Sequence, residues 1–135
     1  MKIKKINHIG LAVEVLEPVL EMFTQTLGLP LDHQEMLGEL KIAFVPVGET
    51  NLELVQSTDP EGVMAKHVAK KGEGVHHLAL EVEDIDQAVE ELLAKGMTMI
   101  DQSPRRGAHG ARIAFLHPKA THGVMIELVE PGEEV

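Results

Sequence analysis

Polar and apolar positions alternate in the run Ile6-Asn7-His8-Ile9-Gly10-Leu11-Ala12-Val13, and the alternation returns in Val75-His76-His77-Leu78-Ala79-Leu80-Glu81-Val82. Side chains i and i+2 share one face of a strand, so each run predicts a strand with a histidine at its third position. After each comes a stretch of helical periodicity ending at a glycine, residues 17–27 before Gly28 and residues 84–95 before Gly96. Each half then closes with another alternating run, Asn51-Leu52-Glu53-Leu54-Val55 and Val124-Met125-Ile126-Glu127-Leu128-Val129. The chain reads as two copies of one β-α-β-β-β-like unit, an internal repeat that outweighs any single element as evidence of fold.

The helical stretches carry their own end signals. Pro18 suits a first helical turn, where its missing N–H would have had no partner, and Val19, Leu20, Phe23 and Leu27 form one inward stripe. Asp84 followed three residues later by Gln87 resembles a capping box, and Ile85, Ala88, Val89, Leu92 and Leu93 form the second stripe. A third helix over residues 61–71 connects the halves, with Val63, Met64, His67 and Val68 turned inward and Lys66, Lys70 and Lys71 outward. Module one is expected at about residues 4–58 and module two at about 74–131, within one domain spanning residues 1–135.

The helices must cover the apolar faces of their strands. The opposite faces then carry His8, Gly10 and Ala12 in one half and His77, Ala79 and Glu81 in the other, with Glu53 and Glu127 added by the closing strands. Histidine and glutamate set among small residues suit a cavity better than a solvent face. The 135 residues contain no cysteine, which removes disulfide scaffolds, thiolate zinc sites and cysteine nucleophiles together. A metal would therefore be held by His and carboxylate ligands. His8, Glu53, His77 and Glu127 suit a divalent ion such as Co²⁺, Mn²⁺, Ni²⁺, Zn²⁺ or Mg²⁺ with open coordination positions. Taken singly, each is the kind of residue that also serves as a hydrogen-bonded histidine or the polar side of a strand; their matched placement in both repeats is what makes them a set.

Twelve Lys and Arg against 22 Asp and Glu leave a formal charge of −10, which argues against nucleic-acid and anionic-membrane partners. Three Phe with no Tyr or Trp leave almost no platform for stacking bases. No run reaches the about 18 apolar residues of a membrane span, and the start MKIKKINHIG lacks a signal-peptide core, so a cytoplasmic protein is expected. There is no P-loop, no G-x-S-x-G and no H-E-x-x-H.

The stretch His8 in NHIGLAV, the Asp84-Ile85-Asp86 segment after His77, and above all Arg112-Ile113-Ala114-Phe115-Leu116-His117-Pro118-Lys119 followed by Gly123-Val124-Met125-Ile126-Glu127-Leu128 resemble the methylmalonyl-CoA epimerases. These belong to the vicinal-oxygen-chelate superfamily of glyoxalases, bleomycin resistance proteins and dioxygenases. The resemblance runs from about Ile6 to Glu130. It implies a glyoxalase-like α+β fold, two tandem βαβββ modules forming a curved, mostly antiparallel sheet around a metal-containing cavity. It also implies epimerisation at C2 of methylmalonyl-CoA through a metal-stabilised enolate, an acyl-CoA partner and a homodimer. By resemblance Glu127 is both metal ligand and catalytic base, and His8, Glu53 and His77 are the remaining ligands; glutamine replaces Glu53 in some relatives.

A second base is also implied, but the run Leu-Lys-Ile-Ala-Phe-Val-Pro-Val over residues 40–47 carries no carboxylate where some family members have one. Glu39 is the nearest candidate, with Lys41 and a metal-held water as alternatives. The CoA phosphates call for a basic rim, for which Arg105, Arg112 and Lys119 are the first candidates and Arg106, Lys66 and Lys70 further ones, around the Gly107-Ala108-His109-Gly110 loop. His76 and His117 are expected on the helix-facing or edge side, and His33, His67, His109 and His122 as surface or packing residues. The same scaffold also suits a glyoxalase I-like isomerase (lactoylglutathione lyase), an iron dioxygenase or a metal-free small-molecule binding protein.

Overall fold

A computed structural model describes residues 1–132 and contains eight strands and three α-helices. The chain divides into two compact units, His8–His76 and Met1–Asn7 together with the chain from His77 onward. Each half carries the β-α-β-β-β order that the repeat predicts, in an α+β arrangement as the family resemblance implies.

In the first unit, β1 (Ile3–Ala12, which it shares from His8 on) leads through α1 (Leu16–Glu21) to β2 (His33–Leu37), β3 (Leu40–Val47) and β4 (Thr50–Ser57), with α2 (Val63–Lys71) following. The strand order is β2-β3-β4-β1, antiparallel except for the parallel β4–β1 pair. In the second unit, β5 (Gly74–Val82, from His77 on) leads through α3 (Ile85–Ala94) to β6 (Arg105–Arg106), β7 (Arg112–Phe115) and β8 (Ile126–Glu130). Its order is β5-β8-β7-β6, again with one parallel pair, β5–β8.

The repeat extends to the way each helix begins. The Leu16 N–H donates to Gln56 Oε1 at 2.8 Å, and the Ile85 N–H donates to Glu130 Oε1 at 3.1 Å. Each donor lies eight residues after the strand histidine and each acceptor three residues after the strand glutamate. A long-range side chain thus satisfies a first-turn donor that helix geometry leaves open. Asp84 adds the expected local cap, accepting from the Gln87 N–H at 3.1 Å.

On its helix side the first unit packs Val13, Leu16, Ala43 and Leu54 with Leu11, Val19, Leu20 and Phe23. The second packs Val82, Ile85, Ala88, Val89, Leu92, Met99, Ala114, Leu116 and Leu128. Fully burying an Ile or Val of this kind contributes about 1.5–3 kcal/mol, so α3 is fixed mainly by Ile85, Val89 and Leu92. It ends at Gly96, whose φ of 84° allows the Met97 N–H to reach Leu92 O and its own N–H to reach Leu93 O, both at 3.0 Å.

Three expectations need correction. Leu27 is 59% exposed because the chain after α1 continues as a π-helical turn, Met22–Thr26, with Leu27 N–H bonded to Met22 O; the wider turn carries Leu27 off the stripe. Leu93 is 39% exposed at the edge of the α3 stripe. Val63 is 83% exposed, because α2 begins there and its first residue lies beyond the packed part of the helix.

Candidate active site

The two parallel strand pairs position the central donors. In the first unit Glu53 on β4 is the register partner of Gly10 on β1, and in the second Glu127 on β8 is the partner of Ala79 on β5. A small residue beside each glutamate leaves room for the histidine two positions earlier on the same face. His8 Nε2 lies 3.1 Å from Glu53 Oε2, and His77 Nε2 lies 3.4 Å from Glu127 Oε1. All four are buried, at 4%, 8%, 5% and 3% exposure. Each unit thus brings together the histidine and glutamate that the alternation places on its non-helix face.

The donor chemistry fits a divalent cation. Buried carboxylates are costly unless positive charge compensates them, and each of these two has an imidazole nitrogen as its close neighbour. Oxygen and imidazole nitrogen donors without thiolate match the borderline and hard ions.

Sequence reasoning missed the phenylalanines. Phe44 on β3 is the direct register partner of Glu53, and Phe115 on β7 that of Glu127. The Phe44 ring meets His8 edge-on with centroids 6.4 Å apart, and Phe115 meets His77 in the same manner at 5.4 Å. Two of the three phenylalanines in the chain therefore wall the two donor pairs. The alternation Ile42-Ala43-Phe44 and Ile113-Ala114-Phe115 was a signal for this, since each alanine packs under the helix and each phenylalanine must turn the other way.

His33, expected as a surface or packing residue, packs on the first of these rings. It is the register partner of Phe44, its ring centroid lies 5.8 Å from that of Phe44, and its Nε2 lies 2.9 Å from Glu35 Oε1. It shares the face that carries Glu53.

Glu39 is elsewhere. Leu40 pairs with Ser57, four residues beyond Glu53, so Glu39, one residue further, sits about 17 Å along the ladder from Glu53. Its carboxylate accepts from Ser57 Oγ at 2.5 Å and its carbonyl accepts from the Thr58 N–H at 2.8 Å. Glu39 fastens the open end of the β3–β4 hairpin and is removed from the donor pair it was expected to serve. Lys41 points to the helix side, where its Nζ donates to both oxygens of Glu17 at 2.9 and 2.7 Å.

The basic candidates separate by strand parity. Arg112 alternates with Ile113 and lies on the α3 side, where it donates to both carboxylate oxygens of Asp86 at 2.5 and 2.9 Å. That hydrogen bonding holds the Asp86 carboxyl below the usual carboxylate range. Arg105 lies over the Phe115 ring, 5.6 Å from its centroid, and its Nε donates to Asp101 Oδ1 at 3.0 Å. Lys119 is exposed in a short 3₁₀ turn, Pro118–Thr121. The glycine loop is packed at its start: a Cβ on Gly107 would meet Ile113 Cγ2 at 2.7 Å, so glycine is required there by the wall behind Phe115. His76 lies against His67 of α2 with ring centroids 4.6 Å apart, and burial, with His67 adding to it, holds the His76 imidazole down to about 4.

Residues 7–115 match the sequence profile of the glyoxalase/bleomycin resistance protein/dioxygenase superfamily. An uncharacterised Bacillus subtilis protein, YqjC, is 35% identical over 94% of this chain and 92% of its own length. The mitochondrial methylmalonyl-CoA epimerase of Dictyostelium discoideum is 34% identical over 95% of this chain and 79% of its own. A variant of the Streptomyces coelicolor methylmalonyl-CoA epimerase, solved in complex with 2-nitronate-propionyl-CoA, superposes with a TM-score of 0.92 at 35% identity, covering 96% of each chain. With the same fold and sequence similarity along almost its whole length, this chain belongs to the methylmalonyl-CoA epimerase family of the glyoxalase/bleomycin resistance protein/dioxygenase superfamily.

Proposed function

We propose that this protein interconverts the 2R and 2S forms of methylmalonyl-CoA by removing and returning the proton at C2. The observation that carries the reading is the repetition, in both units, of a buried histidine–glutamate couple walled by phenylalanine. The C2 proton lies α to both a thioester and a carboxylate, so its removal leaves an enolate whose charge must be stabilised at once. His8, Glu53, His77 and Glu127 are the proposed holders of one divalent ion, which supplies Lewis acidity toward that developing charge when bound. Glu127 accepts the C2 proton through a carboxylate oxygen and returns it in the reverse direction. Phe44 and Phe115 exclude water from the reacting carbon, which strengthens every charge interaction beside it.

Arg105, half-exposed over Phe115, and Lys119 are proposed to meet the CoA phosphates; Arg112 is not, since Asp86 engages it on the helix side. A homodimer, which the family resemblance implies, and a cytoplasmic location are proposed as well, and sedimentation and cell fractionation would check them.

The deciding assay incubates the protein with Co²⁺ or Mn²⁺ in deuterated water and follows deuterium at C2 of methylmalonyl-CoA. Exchange supports the reading. Absence of exchange, with turnover instead of a glutathione hemithioacetal or consumption of O₂, would overturn it in favour of a glyoxalase-type isomerase or a dioxygenase. A protein inert in all three assays, with a Tm indifferent to EDTA, would be a metal-free binding module.

A further inference from the structure

In the second unit the alternation of β6 and β7 separates two neighbouring arginines. Arg106 is the register partner of Arg112 and shares its helix side, whereas Arg105 is the partner of Ile113. Arg105 therefore emerges with Ile113, Phe115 and Glu127 on the face of the donor pair. Ala79, Ala111, Ile113 and Val129 pack with Phe115 as the apolar floor of that face. The Arg105 guanidinium carbon lies 5.6 Å from the Phe115 centroid, within reach of a cation–π contact.

Asp101, four residues earlier, is a side chain that the proposed function leaves unused. Its Oδ2 accepts from the Phe115 N–H at 2.8 Å and its Oδ1 accepts from Arg105 Nε at 3.0 Å. The Asp101 side chain is 14% exposed and that of Arg105 53%. An ion pair at such exposure usually contributes little, because two flexible side chains must be ordered together. Here the Phe115 backbone already holds the carboxylate, so only the arginine remains to be ordered. Asp86 occupies both Nη groups of Arg112, whereas Asp101 takes Nε of Arg105 and leaves the Nη hydrogens for an incoming anion.

Resting on the reading of this face as an acyl-CoA site, we infer that Asp101 is the positioning residue of an oxyanion seat formed by Arg105 over Phe115. A guanidinium offers parallel N–H donors to a carboxylate or a phosphate, and methylmalonyl-CoA carries both. On a chain of formal charge −10, a fixed cation on the site face also offsets repulsion of a polyanionic ligand.

The test measures the Kd of the metal-loaded protein for racemic methylmalonyl-CoA by calorimetry. Asp101→Asn removes a negative charge beside the seat, which by Coulomb attraction alone would tighten anion binding. Loss of positioning acts the other way, and the Kd is expected to rise about three- to fivefold. In an Arg105→Ala background the same substitution should produce no rise. An unchanged or tighter Kd, or an equal rise in both backgrounds, overturns the assignment. Arg105→Lys keeps the charge and the Asp101–Phe115 contact but removes Nε, and it should weaken binding as Asp101→Asn does; wild-type affinity in this variant overturns the seat even if Asp101→Asn fails to fold. Methylmalonyl-pantetheine, which keeps the carboxylate and lacks the phosphates, identifies the anion: a rise retained with it assigns the seat to the carboxylate, and a rise lost assigns it to a CoA phosphate. A wild-type protein that shows this coupling but exchanges no deuterium at C2 loses the epimerase reading and keeps the seat.

Discussion

Phe44 stands directly opposite Glu53 in the β3–β4 ladder, as a phenyl wall on a buried carboxylate. Its ring is 6% exposed and also touches His8 and His33. Truncation therefore removes core packing and the dry side of the candidate site together. Phe44→Ala should lower stability by about 3 kcal/mol, measured by urea denaturation, and Phe44→Leu by clearly less. If both leave the midpoint unchanged, the ring is not part of the packed wall.

Glu127→Gln keeps the size of the side chain and an acceptor oxygen for His77, 3.4 Å away. The fold should persist by circular dichroism, and C2 exchange should fall about 10²–10⁴-fold. Undiminished exchange would remove Glu127 as a base.

Metal removal should be visible without any substrate. An ion that binds only the folded chain adds about 2.7 kcal/mol when present at a hundredfold excess over its Kd. EDTA should lower the Tm of protein purified with its metal, and Co²⁺ or Mn²⁺ should restore it. His8→Ala and His77→Ala should each abolish the restored increment; if both variants respond to metal like the wild type, the ion binds elsewhere.

Arg105 and Arg112 should part company in kinetics. Arg105→Ala is expected to raise the KM for the CoA ester with little change in kcat, whereas Arg112→Ala leaves KM unchanged because its guanidinium is engaged by Asp86. A KM increase for Arg112→Ala alone would reverse the assignment.

The His67–His76 contact predicts a pH dependence of stability. His76 in the folded chain titrates at about 4, below the ordinary value of 6.5, so the unfolded chain takes up the proton first as pH falls. Its contribution is present above pH 6.5, declines between 6.5 and 4 and is gone below 4. With partial solvent screening the effect is on the order of 1 kcal/mol, about 3 °C in Tm. His76→Gln should flatten the Tm profile between pH 7 and 4.5 relative to wild type; parallel profiles would show that the imidazole titrates normally.

Alternation by itself determined the strands, the repeat and the shared face of His8 with Glu53's strand position and of His77 with Glu127's, because period-two geometry is a local property of the chain. The Asp84 cap and the Gly96 stop were equally local, each needing only residues within a few positions. Register is not local. Whether Glu39 or Phe44 faces Glu53 depends on which residues pair across β3 and β4, and a one-residue slip would invert every side. Only the tertiary structure therefore moved Glu39 to the hairpin's open end, set Phe44 and Phe115 against the glutamates, turned Arg112 toward α3 and brought His33 to the face that carries Glu53. The helix starts at Leu16 and Ile85 were likewise hidden, since their partners Gln56 and Glu130 lie 40 and 45 residues away.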